Sequence, residues 1–269
     1  MKQGIVVVNH GTADMDVRLR TIEDFVLSIG DRMEDSDIVS AFTSGDVRKA
    51  IRESGGEKVQ NLKAAILAMK ERGVTHLTVV TTDIIESPEH RKIREEISGL
   101  ASLFKEVKIS KPLLSCSMDS EIAARAFHGT FGDIVGDDIL IVVAENDKTI
   151  YADPEYAEMF FGEELFDNPL GHFEDTLRKY ISNSHVASVS GSRKLYKVLK
   201  NLRDNEEKRV VLVPLEFIAG ENIENLVSGS FYELVARLES EGYTVEQHFK
   251  GLAEYDAFQR LYMRHLYEA

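Results

Sequence analysis

Apolar and polar positions fall into blocks that repeat along the chain. The stretch "GIVVVNHGTAD" runs four apolar β-formers into Asn9, His10, Gly11 and Thr12, the pattern of a buried strand that ends at a ligand-facing loop. Gly11 lets the backbone turn sharply into the next helix. The block returns as "ILIVVAENDKT", so His10 and Glu145 hold equivalent strand ends. A second pair, "SDIVSAFTSGDVRKAIRE" and "SHVASVSGSRKLYKVLKN", reads as a short strand, a Ser-Gly turn and a helix starting near Asp46 or Arg193. A third sets "VTHLTVVTTDIIESPEHRKI" against "KRVVLVPLEFIAGENIENLV", and a fourth sets "KEVKISKPLL" against "YTVEQHFKGL".

Strands alternating with amphipathic stretches such as Val59–Glu71 and Leu226–Glu241 predict two similar α/β lobes, each a mainly parallel sheet flanked by helices. The expected division is a first lobe over 1–116, a crossover over 117–137 that is helical around Asp119–Phe127, and a second lobe over 138–269.

Composition narrows the class. The 269 residues are 43% hydrophobic, enough for a substantial core. A formal charge of −14, carried by scattered acidic residues, argues against a nucleic-acid partner. The single cysteine, Cys116, excludes an intrachain disulfide and any cysteine-built metal cluster. The apolar run after Met1–Gly4 is too short for a signal-peptide core, and no run reaches membrane-spanning length. The expected compartment is the cytoplasm, without a membrane partner; a homo-oligomer is left open.

In a duplicated α/β frame a ligand lies between the strand C-termini. The loops aimed there carry His10, Thr43-Ser44-Gly45, Asp83, Glu86, His90, Glu145, Ser190-Gly191-Ser192, Glu216 and Glu221. Imidazole nitrogen with carboxylate oxygen suits first-row divalent ions. Glu86, Glu89 and Glu224 are equally explained as first-turn acids that complement a helix dipole; His10 and Glu145 precede their helices and are not. The two Ser-Gly turns offer hydroxyls and amides to an anion such as a ligand carboxylate, or simply cap their helices. Nucleotide-binding, zinc-protease and serine-hydrolase motifs do not occur. His76, His128, His172, His185, His248 and His265 lack metal-ligand spacing and read as structural.

Taken together, "VVVNHGT", "AFTSGDVRKAI", "IIESPEHRKI", "SKPLLS" and "VPLEFIAGENIENL" resemble the class II tetrapyrrole chelatases, most closely the anaerobic sirohydrochlorin cobaltochelatases of cobalamin biosynthesis. The resemblance implies two flavodoxin-like lobes that hold a tetrapyrrole in their cleft. It also implies insertion of a divalent metal without a cofactor, Co²⁺ first, with Ni²⁺ or Fe²⁺ as alternatives. Histidines and a glutamate would bind the metal and take the pyrrole protons.

Three lobe-two positions depart from that pattern. Ala144-Glu145-Asn146 replaces Gly-His-Gly, Ser190 replaces a glutamate, and Asn222 replaces the histidine of "AGxH". His10 stands where shorter relatives carry a metal-binding histidine, and His90 falls beside their second ligand. The expected catalytic pair is His10 and Glu145, and the expected metal donors are His10, His90, Asp83 and Glu145. Substrate contacts are expected from Thr43, Ser44, Gly45, Ser190, Gly191 and Ser192. The alternatives are a homologue that binds tetrapyrrole or metal without catalysis, and an unrelated binding protein on the same scaffold.

Overall fold

The computed structural model describes residues 1–146, 168–190, 195–202, 209–219 and 234–269. The first lobe begins with β1 (Gln3–Asn9), whose β-branched Ile5 to Val8 are buried on both faces, as a central parallel strand requires. Asp14 accepts the Val17 amide at 2.9 Å and caps α1 (Met15–Arg18), which passes through a π-helical turn (Leu19–Glu23) into α2 (Asp24–Gly30). Next come β2 (Ser36–Phe42), α3 (Gly45–Glu53), α4 (Leu62–Glu71), β3 (His76–Thr81), α5 (Pro88–Leu100) and β4 (Glu106–Ile109). The crossover is α6 (Ser117–Val135). The second lobe contains β5 (Ile139–Asn146), α7 (Pro169–Leu177), β6 (Ser184–Ser190), α8 (Leu195–Leu202) and β7 (Arg209–Pro214). A helical stretch over 234–240 leads to β8 (Thr244–Gln247) and the last helix, α9 (Asp256–Glu268).

Both sheets are wholly parallel, in the orders β2-β1-β3-β4 and β6-β5-β7-β8, so the four repeated pairs read from the sequence are the four equivalent strand pairs. The registers make the equivalence residue by residue. Val6 pairs with Val79 and Ile141 with Leu212; counting forward from those pairs sets His10 opposite Glu145 in the internal symmetry, and Asp83 opposite Glu216. Val6 with Val39, and Ile141 with His185, likewise equate Ser44 with Ser190.

Helix boundaries reflect local chemistry. The amphipathic stretch from Val59 becomes helical only at Leu62, because Asn61 accepts the Ala64 amide at 2.8 Å as an N-cap. The crossover helix continues past Phe127 to Val135 because Phe127, Phe131 and Val135 repeat at i, i+4 and are all buried. Of the stretch from Leu226 to Glu241, residues 226–233 lie outside the described residues, as does Arg193.

The helix α9 returns to the first lobe. The Tyr262 hydroxyl donates to the Thr82 carbonyl at 3.2 Å, and His265 bonds Asp119 at 3.0 Å. Phe25 meets Phe217 edge-on at 5.4 Å, and Phe217 meets Tyr262 at 5.0 Å, within one hydrophobic cluster that spans both lobes. Each fully buried large apolar side chain contributes ~1.5–3 kcal/mol, so this seam stabilises the packing of the two lobes against each other. Among the described residues no helix is long and apolar enough to cross a membrane.

Candidate active site

The strand ends of the two lobes face a cleft of about 990 Å³. On the first lobe, β1 delivers Asn9 and His10 to it, and the chain turns away at Gly11. Gly11 sits at φ 93°, where a side chain would also overlap the Phe42 ring, so glycine is required at this turn. The Asn9 and His10 carbonyls accept the Thr43 and Ser44 amides at 2.9 and 3.2 Å. These bonds carry the β1–β2 ladder into the loop and set Thr43 and Ser44 on the same wall. Ser44 then caps α3 by accepting the Val47 amide at 3.2 Å. His10 is exposed to the cleft.

Asp83 lies just beyond β3. Its Oδ2 accepts from the Thr81 hydroxyl at 2.6 Å and from His90 Nδ1 at 2.7 Å. His90 is completely buried, and its other nitrogen, Nε2, lies 3.1 Å from Arg94 Nε and 3.3 Å from Glu86 Oε2. An arginine Nε has only a proton to give, so the network assigns Nε2 as the acceptor and puts the imidazole proton on Nδ1, toward Asp83. The sequence sets His90 among the metal donors; in the structure both ring nitrogens are already engaged, and Asp83, not His90, reaches the cleft. Glu86 is likewise fully enclosed. Burial pushes its carboxyl up, against the opposing charge of Arg94.

On the second lobe, β5 carries Glu145 as its next-to-last residue and β7 leads through Pro214 and Leu215 to Glu216. The Glu145 amide donates to Glu216 Oε1 at 2.7 Å. Burial first, and then the neighbouring charges of Glu145 and Asp83, push the Glu216 carboxyl up to about 8, with the Glu145 amide opposing them. The Tyr262 hydroxyl is pushed well above its ordinary value by burial and by Glu216 and Asp83. Asp83 and Glu216, from different lobes, therefore sense each other across the cleft floor.

The structure brings His10, Thr43, Ser44, Asp83 and Glu145 to one cleft, with Gly45 at the first position of α3 beside Ser44. Val189 places the end of β6 there too; the Ser190 side chain, Gly191 and Ser192 lie outside the described residues, as do Glu221 and Asn222. Among the described residues no group of three or more His, Cys, Asp or Glu side chains is arranged to hold a metal ion. The sequence placed Glu216 among the cleft loops without giving it a role. Its equivalence to Asp83 was the available signal; its raised pKa depends on burial first and then on the charge of Glu145, neither of which the sequence displays.

Comparison with known proteins agrees with this architecture. The family described as cobalt chelatase (CbiK) matches residues 3–269. A sirohydrochlorin cobaltochelatase of Salmonella typhimurium is 23% identical, over 100% of this chain and 97% of its own. The sirohydrochlorin cobaltochelatase CbiKC of Nitratidesulfovibrio vulgaris is 24% identical over 98% and 89%. Among solved structures, SirB from Bacillus subtilis with Fe³⁺ superposes with a TM-score of 0.68 at 14% identity, covering 100% of this chain and 95% of that one. The sirohydrochlorin chelatase SirB of Bacillus subtilis in complex with cobalt gives 0.63 at 15% identity over the same shares. With two equivalent parallel-sheet lobes, a cleft between their strand ends and a family match along almost its entire length, the chain belongs to the cobalt chelatase (CbiK) family.

Proposed function

We propose that this chain inserts a divalent metal, Co²⁺ foremost, into sirohydrochlorin or a closely related tetrapyrrole held in the inter-lobe cleft. The observation that carries the reading is the placement of His10, Asp83, Glu145 and Glu216 at equivalent strand ends around one cleft, in a chain of the cobalt chelatase family.

Metallation requires that pyrrole protons leave as a desolvated ion enters the ring, so the protein must offer a base and donors weak enough to let go. The ring nitrogens supply most of the final coordination, so the protein donors need hold the metal only until it is passed on. His10 and Glu145 approach from opposite lobes as first donors, with Asp83 beside them. Both Asp83 contacts fall on Oδ2, which leaves Oδ1 as its working atom, and His90 orients it from behind. Glu145 is the proton acceptor, its backbone tied to Glu216.

The second reading is a protein that binds the tetrapyrrole without metallating it; what favours it is Glu145 standing where the family pattern has histidine. Mixing purified protein with sirohydrochlorin and Co²⁺ and following the absorption change separates the two. Under the enzyme reading, Glu145→Gln lowers turnover ~10²-fold and leaves tetrapyrrole affinity intact, as loss of a general base does. A variant that turns over like wild type hands proton acceptance to His10. Wild-type protein that binds the tetrapyrrole but never metallates it is the binder.

A further inference from the structure

The corner of the cleft between β1 and α3 holds a buried polar side chain that the fold does not use. Asn9 is 3% exposed, lines the cleft, and has no hydrogen-bond partner at either Oδ1 or Nδ2 among the described residues. Its backbone carbonyl is engaged with Thr43, so only the carboxamide is idle. A buried amide unsatisfied at both ends is a standing cost to the fold, and such a group calls for an explanation. Asn9 pairs in register with Phe42, which places it on the sheet face that α3 covers through Val47 and Ile51.

The start of α3 faces the same corner. Ser44 caps the helix through the Val47 amide, leaving the Gly45 and Asp46 amides among the open donors of its first turn. Arg48 folds back over that start. Its Nε donates to the Ser44 carbonyl at 3.2 Å, and its Nη2 lies 3.7 Å from where a Gly45 side chain would begin. A cation at a helix N-terminus works against the helix dipole, and among the described residues no carboxylate pairs with Arg48. A guanidinium, a helix start and a buried N–H donor thus line one cleft, in a chain of charge −14.

We infer that Asn9, Arg48 and the first turn of α3 form a subsite that binds one carboxylate side arm of the ligand. The guanidinium and the Asn9 Nδ2–H take the two oxygens of a planar carboxylate, and Oδ1 stays open to an N–H of the same ligand. The register equates Asn9 with Ala144, so the second lobe has no counterpart to its carboxamide. The subsite therefore fixes which edge of an acidic macrocycle enters the first lobe. The identity of that macrocycle rests on the chelatase reading; the preference for a carboxylate does not.

Affinity for metal-free sirohydrochlorin and for its fully esterified form, followed by absorption, tests this on wild type, Asn9→Ser and Arg48→Met. Each variant is expected to bind the acid roughly tenfold more weakly, about one charge-assisted hydrogen bond. Wild type is expected to lose at least as much on the ester, with no further loss from either substitution. Variants that bind the acid as wild type does overturn the subsite and leave the chelatase reading standing. If wild type binds neither tetrapyrrole, the chelatase reading fails, and propionate decides the subsite instead. The Asn9 side-chain amide signal, identified by its loss in Asn9→Ser, should then shift saturably with propionate in wild type and not in Arg48→Met. Absence of that shift, or an equal shift with chloride, overturns the subsite.

Discussion

Replacing Glu216 with glutamine should make the protein more stable, and increasingly so as the pH rises. Glutamine keeps an oxygen to accept the Glu145 amide, which Glu216 Oε1 accepts at 2.7 Å, while removing the proton equilibrium. The folded protein pushes this carboxyl from 4.5 to about 8, chiefly by burial. Between those values the folded state holds a proton that the unfolded chain has released, so stability falls as pH rises through the window and levels off above about 8. At ~1.4 kcal/mol per pH unit, the ionised side chain costs ~5 kcal/mol at high pH and ~3 kcal/mol at pH 7. Glu216 keeps part of its surface on the cleft, and solvent screening there reduces the expected gain of the variant to ~2 kcal/mol at pH 8.5 and under ~1 kcal/mol at pH 5. Urea unfolding of both proteins at pH 5, 7 and 8.5, followed by circular dichroism, measures the difference. Equal stabilities at every pH, or a larger gain at pH 5 than at 8.5, would refute the argument that burial and the facing carboxylates raise this group.

The same geometry sets three other outcomes. His10→Ala should weaken Co²⁺ binding roughly tenfold or more by calorimetry, the loss of one imidazole donor; wild-type affinity in the variant removes His10 from the metal site. His90→Leu strands Asp83, Glu86 and Arg94, all within 3.3 Å of the ring, and should cost ~3–5 kcal/mol in urea unfolding; a loss under 1 kcal/mol would mean the network is not holding the loop. Burial alone would raise Asp119, but bonds and charge from His265, with bonds from Ser115 and Cys116, take it from 3.8 down to about 2. That stabilisation is present above about pH 4 and lost as pH falls toward 2, so Asp119→Asn should flatten the acid limb of the stability curve.

The strand pattern was legible because central parallel strands are buried on both faces, and so read as unbroken apolar runs at Ile5–Val8 and Ile139–Val143. Internal repetition then identified His10 and Glu145 as equivalents with no structure in hand. His90 shows where spacing misleads. Its place in "SPEH" suits a ligand, yet the ring turns inward, because Asp83 on the loop and Arg94 one helical turn on both offer it bonds. Asn9 gave no signal, since an asparagine at a strand end is ordinary until it proves to have no side-chain partner among the described residues. The return of α9 to the first lobe was also hidden, because it depends on Tyr262 and His265 meeting Thr82 and Asp119 from more than 140 residues away.

The internal symmetry of the backbone makes the differences between its two halves interpretable. Thr82 N bonds the Val8 carbonyl as Leu215 N bonds that of Val143, and Leu113 N bonds the Asp83 carbonyl as Leu252 N bonds that of Glu216. The frames match, so Asp83 and Glu216 differ through their side-chain neighbours. Thr81 donates to Asp83, whereas the equivalent position is Pro214, which has no hydroxyl and no N–H; His90 supplies a second donor to Asp83. Glu216, one methylene longer, reaches across the sheet to the Glu145 amide instead and is left facing two carboxylates. One duplicated strand end thus presents a carboxylate held by two donors, and the other a carboxyl that keeps its proton near neutral pH. Metallation releases protons and consumes none, so under the chelatase reading it draws on Asp83 for the ion and Glu145 for the protons, while Glu216 holds the Glu145 backbone in place.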